Sequence, residues 1–263
     1  MSAQLPFYLG LVIAAAAGLF VFSRSAREFF TGRGLVRTDM YTAADAVFAV
    51  VLSVFFLIVI RTGLSDRDPT PITAAGILQA SVVYVFLGGG VLLNMAVRKV
   101  SPIEMFGLRR FELPGTIWVA IGLAVAAYPV TMAVFVVMRE FLSNPPPQEV
   151  LDFLMKHNDL GSRALVVLLA AVVAPVFEEL LFRGFLYGVA KKFGGQLSAL
   201  AVTGMLFAAI HIDLSAFLPL FVLSGCLTIA YERSGTLWVP ILMHATFNSI
   251  SLAGTILFPD WAL

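Results

Sequence analysis

Residues 164–193 read ALVVLLAAVVAPVFEELLFRGFLYGVAKKF. A spanning helix needs roughly 20 mostly apolar residues, and this run exceeds that length. Yet Glu178, Glu179 and Arg183 lie about halfway along it. A charged side chain at that depth costs about 3 kcal/mol on insertion scales, so it is either paired or functional. Glu179 and Arg183 are spaced i,i+4 with the acid first, the favourable order for a helix ion pair. That pairing leaves Glu178, about 100° further round the helix, with no local partner. A lone membrane carboxylate is a candidate general base or metal ligand.

The rest of the chain has the composition such a helix requires. Of 263 residues, 60% are apolar and 13% charged, against about 45–50% and 25% in soluble domains. The expected fold is an all-α polytopic membrane bundle. Eight apolar runs are long enough to count: Pro6–Phe22, Ala43–Ile60, Ile72–Val97, Thr116–Met138, Ala164–Ala190, Leu197–His211, Leu214–Tyr231 and Leu237–Phe258. The sixth and seventh are short and almost contiguous, which fits a tight hairpin or one broken element buried in protein. Residues 1–163 are expected to form the N-terminal helices and loops, and residues 164–263 a catalytic core on the last four helices. No Lys or Arg precedes Arg24 and no cleavage site is recognisable, so the first run reads as a retained membrane helix. The segment 101–114, SPIEMFGLRRFELP, mixes apolar and charged residues as an interfacial segment does. Beyond Asn144, the prolines at 145–147 stop a helix, and Val150, Leu151, Leu154 and Met155 recur at the spacing of a short amphipathic one.

Several function classes are excluded or disfavoured. The net charge is +1 with no basic stripe and no acidic tail, so nucleic acid is not an expected partner. The single cysteine, Cys226, excludes an intrachain disulfide and any multi-cysteine metal site. Its neighbours, LSGCLTIA, are apolar, with no histidine at i±3 or i±4, so a buried inert thiol fits better than a nucleophile. A proton-coupled transporter would also carry membrane carboxylates and histidines, but no inverted repeat and no matching pair of broken helices is visible. With the N-terminus outside, inside loops hold eleven basic residues, among them Arg98, Lys99, Arg109, Arg110, Lys191, Lys192 and Arg233, against five in outside loops, Arg61, Arg67, Arg139, Lys156 and Arg163. The positive-inside rule therefore places both termini outside, on the cell membrane if the source is bacterial.

Two of the three histidines fall in apolar runs. His211 closes the sixth, TGMLFAAIHID, with Phe207 one turn before it, and His244 lies in the eighth, LWVPILMHATFN, with Asn248 one turn after it. At about 1.5 Å per residue, the three helices can present Glu178, His211, His244 and Asn248 at a common level near mid-membrane. His157 falls in a loop and reads as incidental. Asp213 reads as a helix cap or as an acceptor orienting His211. Asp45, Gln79 and Asn94 read as interhelix hydrogen-bonding residues.

Glu178-Glu179-x-x-x-Arg183, Phe207-x-x-x-His211 and His244-x-x-x-Asn248 together resemble the three motifs of the CPBP family. That family groups type II CAAX prenyl endopeptidases with bacteriocin-processing and immunity (Abi) proteins. The lead-in Tyr231–Pro240, YERSGTLWVP, is similar as well. The resemblance covers roughly Ala164 to Phe258, and its order and spacing make it specific.

What the resemblance implies is an intramembrane endopeptidase acting on a membrane-anchored or lipid-modified peptide or protein. In the family the first glutamate of the pair is the catalytic one. Glu178 and His211 would hold and deprotonate a water, and His244 and Asn248 would donate to the oxyanion. Glu179, Arg183 and Phe207 would support them. Within the same reaction, Glu178, His211 and His244 could instead bind Zn²⁺; a cofactor-free, glutamate-dependent site is equally compatible with the residues. The rival reading is a non-catalytic membrane immunity or scaffold protein of the same fold, although a binding scaffold has no need of all four polar residues.

Overall fold

A computed structural model describes residues 5–32, 34–65, 73–142, 149–156 and 159–257. Asn144, the proline run at 145–147, Arg33, Arg67, Ile72, His157 and Phe258 lie outside the described residues. The described chain is helical throughout, with no strand. The long elements are α1 (Leu5–Phe30), α2 (Ala43–Ser65), α3 (Ala74–Val97) and α4 (Gly115–Phe141). A short α5 (Glu149–Lys156) leads to α6 (Leu160–Gly194), α7 (Gln196–Ala209), α8 (Leu214–Ser234) and α9 (Trp238–Leu257).

Six of these, α1, α2, α4, α6, α8 and α9, are long and apolar enough to cross a membrane, and Ser81–Val97 of α3 and α7 are shorter apolar helices. The eight apolar runs of the sequence thus correspond to eight helices. Their outward faces carry side chains that water would not tolerate, such as Phe20, Phe86 and Phe141, each about four-fifths exposed; lipid is the solvent for such a surface. Residues 210–213 make the tight turn that turns the sixth and seventh runs into a hairpin.

Side-chain contacts show that the helices alternate in direction between two ends. At one end Arg98, just after α3, pairs with Asp45 at the start of α2, and Asn94 Nδ2 donates to the same carboxylate at 2.9 Å. Lys191 near the end of α6 reaches Glu232 near the end of α8 at 2.5 Å, and Gln196 at the start of α7 donates to the Phe29 carbonyl at the end of α1. The loop at residues 34–41 is fastened to this end as well. Glu232, 1% exposed, accepts from Val36 N, Tyr187 Oη and Lys191 Nζ, so a buried carboxylate has its donors. Segment 101–114 folds here into two short helical turns around Gly107, whose φ of +65° no bulky residue adopts cheaply. The helix expected near residue 150 forms, with Phe153 and Leu154 buried against Val166, Ala171 and Leu252.

The N-terminal helices pack directly on the later ones. Gly18 of α1 lies so close to the Ala126 carbonyl of α4 that a β-carbon there would collide with it. Tyr41 donates to the Gly184 carbonyl of α6, and the main apolar core runs from Val36 and Met95 through Leu181, Phe182 and Phe185 to Phe207 and Tyr231.

Candidate active site

The sequence of α6 is apolar all round, as befits a helix buried in a bundle. Its backbone is not uniform. Two wider, π-helical stretches, Leu169–Val173 and Leu180–Tyr187, flank the α-helical turn Ala174–Glu179 that carries both glutamates. Insertions of this kind in helices are common at functional sites. The cause of the first is legible in its bonds. Ala174 N donates to Leu169 O, five residues back, so the next donor in that register would serve Ala170 O. That next residue is Pro175, which has no N–H. Asn248 Nδ2 of α9 donates to Ala170 O at 2.8 Å instead.

Glu178 and Glu179 are 6% and 0% exposed, Arg183 1% and His244 3%. Arg183 Nη1 donates to Glu179 Oε1 at 2.8 Å, the ion pair the spacing implies. The sequence reading assigned Glu179 to Arg183 alone, and the geometry corrects that. His244 Nδ1 lies 2.8 Å from the same Oε1, so one oxygen serves two partners, while Glu179 Oε2 is buried without a hydrogen bond among the described residues. A carboxylate accepts only, so Nδ1 carries the hydrogen and Nε2 is left for chemistry. His244 Nε2 faces Glu178 Oε2 at 3.8 Å, too far for a direct hydrogen bond. Such a separation accommodates a bridging group.

Phe207, fully buried, organises the cluster. The Arg183 guanidinium sits 4.4 Å from its ring centre, and the rings of His211 and His244 lie 5.1 and 5.9 Å away. His211 itself is in the turn after α7 and is exposed, with Nδ1 on the Phe207 carbonyl at 2.8 Å. Asp213 does not turn to it: Oδ1 accepts from Ser215 N and Ala216 N and caps α8. Asp45 and Asn94 bond to each other across helices as expected, whereas Gln79 is exposed.

Glu178, Glu179, Arg183, Phe207 and His244 therefore converge, His211 joins through Phe207, and Asn248 stands on the neighbouring turn. Zinc needs three donors about 2.0–2.2 Å from one point. Hydrogen bonds at Nδ1 leave the Nε2 atoms of both histidines free, as in a metal-binding histidine, but no three His, Cys, Asp or Glu side chains gather at ligand spacing among the described residues. Sequence reasoning missed the approach of α3 to the site, where Gly88 lies so close to α6 that a β-carbon there would stand 2.5 Å from Phe177 Cδ1; an apolar run carries no signal of that contact.

Comparison with known proteins bears on the same stretch. Residues 160–250 match the family model described as Rce1-like, type II CAAX prenyl endopeptidase Rce1-like. The similarity is confined to this segment, roughly a third of the chain. The match contains every residue of the cluster. Over 85 residues the chain is 26% identical to the putative membrane peptidase YdiL of Bacillus subtilis, covering 32% of this chain and 35% of that protein. It therefore spans about a third of that relative's length. It is also 27% identical over 183 residues to an uncharacterized 24.3 kDa protein of Escherichia coli, covering 64% of this chain and 80% of that one. No solved structure gives a significant match.

Proposed function

We propose that the chain is an intramembrane endopeptidase in which Glu178 is the general base. The observation that carries this reading is the apposition of Glu178 Oε2 and His244 Nε2 at 3.8 Å, with the other nitrogen of His244 held on Glu179. Glu178 takes a proton from a water held beside it, with His211 as the second group on that water, and the oxygen adds to the scissile carbonyl carbon. The carbonyl oxygen becomes an oxyanion. Protonated His244, through Nε2–H, and the remaining amide hydrogen of Asn248 donate to it. Glu179 orients the ring through Nδ1–H and stands against the imidazolium charge, as the carboxylate of a hydrolase triad does. The proton held on Glu178 then passes to the leaving amine as the C–N bond breaks. His211 is the most exposed member, which suits a group at the mouth of the site.

The similarity of residues 160–250 to the Rce1-like model supports, as the substrate class, a lipid-modified chain whose anchor keeps it in the bilayer beside the bundle. The test uses the full chain in proteoliposomes with two probes, a farnesylated peptide ending in a CAAX sequence and an unprenylated single-span reporter. Glu178→Gln is expected to lower turnover of the cleaved probe by about 10³-fold or more, with unchanged thermal unfolding. Wild-type turnover in Glu178→Gln overturns the assignment, and cleavage of the reporter alone overturns the prenyl preference.

A further inference from the structure

Segment 101–114 meets the end of α8 and the start of α9 beside a cavity that the proposed reaction does not use. Leu237 N donates to the Phe106 carbonyl at 3.0 Å and ties these parts together. The cavity holds about 310 Å³ and is lined by this segment, residues 35–37 and the end of α8. Two glycines shape it. Gly107 and Gly235 both stand at positive φ, +65° and +63°, and a β-carbon on Gly107 would collide with the Gly235 carbonyl. The Arg110 guanidinium lies against Gly235, in the space that any side chain there would fill.

Three arginines line the cavity, Arg37, Arg109 and Arg110. Arg37 is 2.6 Å from Asp39 and Arg109 3.8 Å from Glu104, whereas Arg110 forms no ion pair among the described residues. Three guanidinium groups against two carboxylates leave one positive charge, the complement of one phosphodiester. Beside them the wall is apolar: Leu35 and Ile103 line the same cavity and are both exposed. Trp118, exposed in the first turn of α4, marks the depth, because tryptophans gather at the headgroup level of a bilayer. Guanidinium groups and exposed apolar side chains around one cavity at that depth suit the two chemistries of a phospholipid, its phosphate and its chains. A zwitterionic headgroup carries a cation of its own, which the unpaired Arg110 repels.

We propose that the cavity holds the headgroup of an anionic phospholipid from the leaflet at this end, with the phosphate on Arg110 and the acyl chains against Leu35 and Ile103. Basic pockets between membrane helices bind such headgroups, and the planar fork of arginine matches two phosphate oxygens at once. The inference stands apart from the reaction assigned to Glu178.

The full chain in detergent is titrated with phosphatidylglycerol, phosphatidylcholine or inorganic phosphate, and bound lipid is counted by native mass spectrometry. One phosphatidylglycerol per chain is expected to be held in preference to phosphatidylcholine. Arg110→Gln is expected to weaken it about 10–100-fold, the loss of a charge-assisted contact. Arg110 is exposed, so the variant should unfold in phosphatidylcholine nanodiscs at the wild-type temperature. Lys192→Gln, exposed at the same end but outside the cavity, is expected to bind as wild type does. Undiminished binding in Arg110→Gln, or no preference over phosphatidylcholine, overturns the proposal. An equal loss in Lys192→Gln shows attraction to the basic end as a whole and overturns the site. Inorganic phosphate that displaces the lipid at matched concentration marks a site for a free anion and overturns the lipid.

Discussion

At the scale of single residues, the two adjacent glutamates separate by what each would strand if removed. Glu179 Oε1 is 2.8 Å from both Arg183 Nη1 and His244 Nδ1, and all three side chains are nearly inaccessible. Deleting one partner of a buried ion pair leaves the other charge uncompensated, a loss of about 3–5 kcal/mol. Glu179→Ala and Arg183→Ala are therefore expected to lower the unfolding temperature of the purified protein sharply, whereas Glu178→Gln leaves it near wild type. Glu179→Gln keeps an oxygen acceptor for His244 but removes the charge facing Arg183, and should fall between. If Glu179→Ala melts like wild type while activity is lost, the carboxylate acts on the reaction alone and the shared-acceptor account fails. The i,i+4 spacing made the Arg183 partner legible in sequence. It also hid the His244 partner, because an acid already provided with a cation looks satisfied.

At the scale of the element, α6 shows how much of a site the sequence carries and where that stops. The three polar motifs lie in fixed order, and because apolar helices tolerate few such residues, their convergence was readable. The backbone on which they sit was not. A helix apolar on every side gives no periodicity from which a change of register could be read, so the two wide stretches around Glu178 leave no mark. Nor does an apolar run reveal which of its residues faces inward, which is why the close approach of α3 to α6 at Gly88 escaped notice. Pro175 is the one visible clue, and it makes a prediction. Asn248→Leu deprives Ala170 O of its donor and should cost about 1–3 kcal/mol, the penalty of a buried unsatisfied acceptor. Pro175→Ala supplies an N–H in the register that Ala174 already uses. In the Asn248→Leu background it should recover part of that loss, as read by the unfolding midpoint. No recovery would show that proline does not orphan this carbonyl.

For the molecule as a whole, the alternation of the helices fixes which loops share an end. The pairs Asp45–Arg98, Lys191–Glu232 and Gln196–Phe29 gather the segments at 31–42, 98–114, 191–195 and 235–237 at one end. Gly63 of α2 against Ile212 marks the opposite end, so α7 crosses between the two although only 14 residues long, about 21 Å. Arg109 and Lys192 are exposed at the first end, and the basic residues of inside loops cluster there. By the charge bias that orients membrane bundles, we propose that this end is cytoplasmic and that both termini are outside. The site then lies below the layer where Leu237 meets Gly184: Glu178 and His244 are six and seven residues deeper, about 10 Å. On that proposed orientation, substrate reaches it from the cytoplasmic leaflet. The check is labelling in intact cells with a membrane-impermeant maleimide, in a Cys226→Ala background that removes the only native thiol. Arg109→Cys and Lys192→Cys are expected to react only after the membrane is opened, and Ser65→Cys and Leu160→Cys without opening. The reverse pattern inverts the bundle, and cleavage would then have to begin from the outer leaflet.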